Sequence, residues 1–574
     1  MGGDMMHRKN RLLRAALAAF FIALAFGALA QSFQGTSPLP QSRGGTGKTN
    51  ASDYFDAAFC TTNGKIVKRV GGQWVCADDG VVASQLDSAF CSTVGYLIAR
   101  TTGGWVCSNS MPAPITWFGA VGDDATDNCT AIGNAIASGA KYVLVPGGTF
   151  RTSCGFTLNV AQTVGGLNEY SSVIKITSAT LDLFTMPNLN SVVERLLVTS
   201  SVTRTAGCYF RITGSSNEVR DVAATNYFCL ADYSGASPAN SIIQPKLLRI
   251  HAFTNVGGAG SYAVRFQNYS SPIIEDAMFA GVGGTQPEKC FIIGDGDTIL
   301  IDIIHCVGHG LGLSIEPTGG NFAGAIFVSN CLFDSTNGSS VDAAKINVPN
   351  AASVITAAFT NCSFSNSTGA TSNGFKTATA GTGSIDGLFF TNSVFNHNTA
   401  NGADLRGAVT NIHIQGGCAA GNTLSGYAFG TGNAKFTVHG VTAGPCGGFG
   451  GNGSIGINVV GGSTASDFDI SGNNVSGNTS VGVFDGSSGA NRKIHDNTGF
   501  NPVGGASITV GASPFTYTAS SSPETVYIRG GTVSNIATGG QNIFTATNAT
   551  VELGPLETVT VTYSSAPTMV KSVH

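Results

Sequence analysis

Trp117-Phe118-Gly119-Ala120-Val121-Gly122-Asp123-Asp124-Ala125-Thr126-Asp127 opens a run that passes through Cys129 to Ala137 and ends on Lys141-Tyr142-Val143-Leu144-Val145-Pro146-Gly147-Gly148-Thr149-Phe150. Gly119 and Gly122 permit sharp turns, because a residue without Cβ enters backbone regions closed to others. Ala131, Ile132, Ala135 and Ile136 recur at helical spacing behind Asp127 or Asn128 as N-cap, which predicts a short helix over 129–137. Lys141 to Phe150 reads as strand and turn. A short helix placed before the first strand covers an open sheet edge that would otherwise pair with another chain. Asp123, Asp124 and Asp127 cluster, and in this context they are assigned turn and capping roles.

Repetition follows downstream. Asn330-Cys331-Leu332-Phe333, Asn361-Cys362-Ser363-Phe364 and Asn392-Ser393-Val394-Phe395 recur at one constant interval, with weaker echoes near Asn422 and Asn473-Asn474-Val475. An Asn before a short apolar strand suits a coil in which like residues stack, the amides in hydrogen-bond ladders and the aromatics in the core. One coil cannot bury its own face, so neighbours must stack. Cys331 and Cys362 read as inward small apolar residues. Winding Ile115–Phe500 at two or three dozen residues per coil gives roughly 12–16 coils and a rod of roughly 60–75 Å.

The opening run resembles the start of pectate-lyase-superfamily right-handed β-helices, F-G-A-x-G-D-G-x-x-D, a short helix, then V-x-x-P-x-G-x-Y. The likeness runs from Trp117 to Phe150 and extends to rhamnogalacturonase- and epimerase-like openings. Asp124 stands where that pattern has its second Gly, and Phe150 where it has Tyr. The fold class is therefore all-β: a right-handed parallel β-helix over 115–500 with a short N-terminal capping helix, two disulfide-stapled hairpin modules before it and a small antiparallel β-domain after it.

A second stretch runs Glu288-Lys289-Cys290-Phe291-Ile292-Ile293-Gly294-Asp295-Gly296-Asp297, then Ile299 to Cys306, then Val307-Gly308-His309-Gly310. It resembles the polygalacturonase family, where D-D-C leads through a strand to C-x-G-H-G. The resemblance implies a Cys290–Cys306 bridge, with His309 as the site histidine and Glu288 on the first Asp. Lys289 falls on the general acid, which a lysine does not replace, since inverting hydrolysis needs a protonated carboxyl and a carboxylate. The family's N-T-D and R-I-K have no convincing counterparts here. Glu288, Asp302 and His309 are the candidate catalytic residues, with Asp295, Asp297 and Glu316 as further carboxylates. No cofactor and no metal are assigned.

The ends set the compartment. His7, Arg8, Lys9, Arg11 and Arg14 lead an apolar run, Ala15 to Ala30, which ends in a small-x-small pattern. Residues 1–30 have the form of a secretory signal peptide, with a retained anchor as the other reading, and 31–55 reads as a flexible linker. Fourteen cysteines suit an oxidising, extracellular or cell-surface destination. Residues 56–76 and 87–107 are copies, each a strand, turn and strand too small to hold a core. Cys60–Cys76 and Cys91–Cys107 staples are the natural reading. Ser42-Arg43-Gly44-Gly45-Thr46-Gly47 and Val561-Thr562-Tyr563-Ser564-Ser565-Ala566-Pro567-Thr568-Met569 resemble segments of phage tail fibres. That likeness implies a receptor-binding or trimerising tip in 501–574 and a homotrimer.

Composition excludes other classes. Charged residues are 11% with net charge -4, and no basic stripe exists for nucleic acid. Glycine is 78 of 574 residues, which disfavours helices and suits short strands with tight turns. The expected function is an exported, tailspike-like β-helix that grips a polysaccharide or cell-surface glycan, with cleavage as a hydrolase or lyase left open. The rival is a non-catalytic adhesin or structural rod.

Overall fold

The computed structural model describes the backbone of Lys65–Val70, Gln73–Asp78, Leu97–Thr101 and Gly104–Ser108, and residues 112–574 except 255, 283–286 and 335–340. Two hairpins precede the main body. Lys65–Val70 pairs antiparallel with Gln73–Asp78, setting Arg69 opposite Trp74. Leu97–Thr101 pairs with Gly104–Ser108 in the matching register, Arg100 opposite Trp105. The duplicated sequence thus folds twice into one motif. The expected signal segment and linker, and the expected Cys60–Cys76 and Cys91–Cys107 staples, lie outside the described residues.

From Ala113 to His495 the chain is a parallel β-helix. A long sheet gathers strands from Ala113–Pro114 to Arg492–His495, and a second sheet of thirteen strands runs from Phe156–Thr157 to Val483–Asp485. Thirteen strands at about 4.8 Å per step give a helix about 60 Å long. The one α-helix among the described residues, Cys129–Ala137, buries Ala131, Ile132, Ala135 and Ile136, as the spacing predicts.

The opening turn explains the departures from the family pattern. Asp124 has φ 55°, so the position normally held by Gly is left-handed, and an Asp tolerates it. At Gly122 a Cβ would come within 3.0 Å of the buried Phe150 ring. Asp127, one residue before the N-cap Asn128, accepts the Cys129 N–H at 3.1 Å and the Ser153 N–H at 3.0 Å through Oδ1, which ties the helix start to the end of the strand Gly148–Thr152. Asp123 accepts the Thr126 and Ala125 N–H groups, and these bonds hold its carboxyl pKa down to about 2.

The recurring Asn has a backbone cause. Arg195, Asp221, Arg249, Asp276, Ile303, Asn330, Asn361 and Asn392 occupy one stacked corner of the long sheet, each with φ between 50° and 54°. Gly416, Gly440, Gly472 and Asp496 continue it. A left-handed residue costs roughly 1–2 kcal/mol unless it is Gly or a short polar residue, so Asn recurs there. Asn361 Nδ2 bonds Asn330 Oδ1 at 3.2 Å, an exposed rung of the expected ladder. The buried ladder lies elsewhere: Asn398 donates to Asn422, Asn422 to Asn452 and Asn452 to Asn478, each at 2.9 Å.

Inside, Phe333, Phe364 and Phe395 stack with ring centroids 5.5 and 5.3 Å apart. Cys331 and Cys362 are free and buried, the inward small residues of that register. Disulfides join Cys129–Cys154, Cys208–Cys229, Cys290–Cys306 and Cys418–Cys446. Residues 504–573 form two four-stranded antiparallel sheets around Val526, Ile528, Ile536, Val559, Val561 and Met569. The Ser521 carbonyl of this module accepts the Ile494 N–H at 2.6 Å, so the module covers the edge of the last coil. Among the described residues no helix is long and apolar enough to cross a membrane.

Candidate functional site on the outer face of the long sheet

The three residues singled out from sequence have separate surroundings. Glu288 sits in the second sheet, is exposed, and accepts the Gly260 N–H at 2.6 Å. His309 follows the long-sheet strand Ile299–Val307 and is buried at 1% exposure. Its Nδ1 lies 3.1 Å from the Val307 carbonyl and its Nε2 has no partner. Burial lowers its pKa to about 4, which keeps it neutral. Asp302 is on the outer face of the long sheet, where its Oδ1 accepts from Ser329 Oγ at 2.7 Å and Asn330 Nδ2 at 2.8 Å. No hydrogen bond links the three among the described residues. Lys289, at the general-acid position of the resemblance, donates to both Glu316 oxygens at 2.8 Å.

Asp302 has a partner that sequence reasoning missed. Parallel pairing sets Glu275 in register with Asp302 on the preceding coil, and Glu275 is exposed. Neighbouring strands lie about 4.8 Å apart, so Glu275 and Asp302 leave the outer face from adjacent backbone positions. The signal was faint: Glu275 and Asp302 stand one coil apart, in a stretch whose repeat is not visible by eye.

Two outward rows extend from this pair. Two residues before the carboxylates, Ile273, Leu300, Phe327, Ala358, Phe389 and His413 stand in register on successive coils. Leu300 and Phe327 are 47% and 43% exposed, and Phe389 stacks on His413 with centroids 5.2 Å apart. In line with Asp302 itself come Ser329, Thr360, Thr391 and Gln415. Apolar and aromatic groups thus run beside hydroxyls and an amide, along the axis.

A cleft lies where the chain turns from the second sheet to the long one. It has a volume of about 320 Å³ and is bounded by Tyr269, Asp295, Asp297 and Phe322. Asp295 is buried and accepts from Gln267 Nε2 at 2.7 Å, the Thr318 N–H at 2.7 Å and Thr318 Oγ1 at 2.5 Å. Asp297 is exposed. Gly296 makes room for the Tyr269 ring, which a Cβ there would meet at 2.5 Å.

No family model matches the chain, and no curated protein does. Solved structures resemble it loosely. Tailspike protein 3 of bacteriophage CBA120 is 15% identical, with 78% of this chain and 74% of that one covered at a TM-score of 0.41. The Dettilon tailspike protein is 12% identical, with 80% and 94% covered at a TM-score of 0.43. The periplasmic alginate epimerase AlgG is 9% identical, with 61% and 78% covered at a TM-score of 0.39. Overlaps this loose transfer no residue roles.

Proposed function

We propose that this chain is an exported, tailspike-like β-helix that binds a linear, largely neutral polysaccharide along the outer face of its long sheet. The observation that carries the reading is the pair of adjacent rows, Leu300-Phe327-Ala358-Phe389-His413 beside Ser329-Thr360-Thr391-Gln415. A sugar ring offers an apolar face and hydroxyl edges. A chain of such rings lying along the axis meets both chemistries again on every coil.

Cleavage, in this proposal, falls to Glu275 and Asp302. One protonates the leaving glycosidic oxygen while the other bonds to the anomeric carbon, and water, deprotonated by the first, then displaces that carboxylate and frees the sugar. Adjacent positions on strands about 4.8 Å apart put both carboxyls within reach of one glycosidic bond, and the proposal takes the close-set, retaining arrangement of roughly 5–5.5 Å. Glu288 and His309 take structural roles in this reading. The non-catalytic adhesin remains the second reading, favoured by the Lys289–Glu316 ion pair where the resemblance calls for a free acid. Trimerisation through 501–574 belongs to either reading and is checked by light scattering of the full chain.

The test is a polysaccharide panel, scored for binding and for reducing ends, with absorbance of unsaturated uronates to catch a lyase. Binding that Phe327→Ala abolishes, with reducing-end release that Asp302→Asn abolishes, supports the enzyme. Binding without release leaves the adhesin. Failure to bind any member of the panel defeats both.

A further inference from the structure

The cleft beside Asp297 carries a ligand reading of its own. It is wide enough for a small molecule, at about 320 Å³ against the roughly 300–1,000 Å³ of ligand pockets. Tyr269, which lines it, is 0% exposed, and its hydroxyl has no hydrogen-bond partner. That hydroxyl is closed off inside the core, and the ring, packed under Gly296, supplies an apolar wall to the cleft. Phe322 lies 47% exposed at the rim. Asp295 cross-links Thr318 and Asn321 and so fixes the loop that delivers Phe322. No lysine or arginine lines the cleft.

We propose that this cleft is a pocket for one neutral pyranose unit, the side branch or end of the glycan that the long sheet holds. Phe322 takes the apolar ring face and Asp297 accepts from adjacent sugar hydroxyls. Two carboxylates and no cation reject a uronate, which specifies the charge class. The proposal rests on the polysaccharide reading for the kind of ligand, and it fails separately from it. Asp297 precedes Asp302 by about 16 Å of extended chain, so the pocket and the carboxylate pair are distinct.

The experiment is saturation-transfer NMR on the full chain with methyl pyranosides of neutral hexoses and with the methyl glycoside of galacturonic acid. At least one neutral glycoside is expected to bind at millimolar concentration and the uronate is not. Asp297→Asn and Phe322→Ala each weaken that binding by about tenfold or more, while Asp302→Asn leaves it unchanged. Asp297 is exposed, so its variant keeps the fold and decides the matter if Phe322→Ala does not. Absence of binding by every neutral glycoside, binding that survives Asp297→Asn, or equal binding of the uronate overturns the pocket. Retention of polysaccharide by Asp297→Asn, with the glycoside lost, separates the pocket from the long-sheet rows.

Discussion

Replacing Asn422 by Asp changes one atom pair in the buried amide column and tests what that column contributes. Asn422 Nδ2 donates to the Phe395 carbonyl at 2.9 Å and to Asn452 Oδ1 at 2.9 Å. Its Oδ1 accepts the Asn398 N–H at 3.1 Å and Asn398 Nδ2 at 2.9 Å. The carboxylate keeps both bonds it accepts and loses both it gave. Two buried acceptors are orphaned at roughly 1–3 kcal/mol each, so the variant is about 2–6 kcal/mol less stable at pH 7. Burial and two facing oxygens raise the new carboxyl's folded pKa above its unfolded value of about 3.9. The folded state then binds the proton more readily, and the deficit relative to wild type shrinks as pH falls through the folded value. Protonation restores one donor and so recovers about half the loss. Urea unfolding of both proteins from pH 7 to 4, with amide exchange over Cys418–Ala420 and Tyr427–Phe429, measures this. An unchanged midpoint at pH 7 would refute the claim that the column holds the coils, and a pH-independent deficit would refute its acceptor geometry.

Phe364→Ala removes a ring packed against Phe333, Phe359, Phe375 and Phe395 and is expected to cost about 3–5 kcal/mol in chemical denaturation. Phe327→Ala, on the solvent side of the same sheet, leaves the midpoint within about 1 kcal/mol while abolishing polysaccharide retention. His309 predicts an acid loss. Its folded pKa of about 4 lies below the ordinary 6.5, so below pH 6.5 the unfolded chain gains a proton that the folded one refuses. Stability falls between those values by about 3 kcal/mol, and His309→Gln flattens that limb of the pH profile. If Glu275 and Asp302 cleave a glycosidic bond, NMR of the first-formed product shows the anomeric configuration retained. An inverted product removes the pair from the reaction.

The site was only partly legible. Asp302 was marked by sequence only as one carboxylate among several, while the family likeness marked Glu288 and His309, which the fold puts in other surroundings. The disulfide Cys290–Cys306 and the turn at His309 exist, so the likeness tracks backbone path better than side-chain chemistry. Glu275 escaped notice because only the length of its coil makes it a neighbour of Asp302, and early coils lack the Asn that marks later ones. Arg195, Asp221, Arg249, Asp276 and Ile303 occupy that same left-handed corner, where their side chains hide the period.

What the amino-acid order determined by itself was the fold class: the glycine-turn, short helix and strand of 117–150, and the evenly spaced Asn330, Asn361 and Asn392, each answer to a local backbone demand. A left-handed corner favours Asn or Gly whatever surrounds it, so the residue type records the geometry. Which outward residues become neighbours was decided by register alone. Coils of unequal length, summed over the helix, bring Glu275 to Asp302 and Phe327 to Phe389's row. No local rule carries that sum, because each depends on loop lengths that leave no mark on the strands they join.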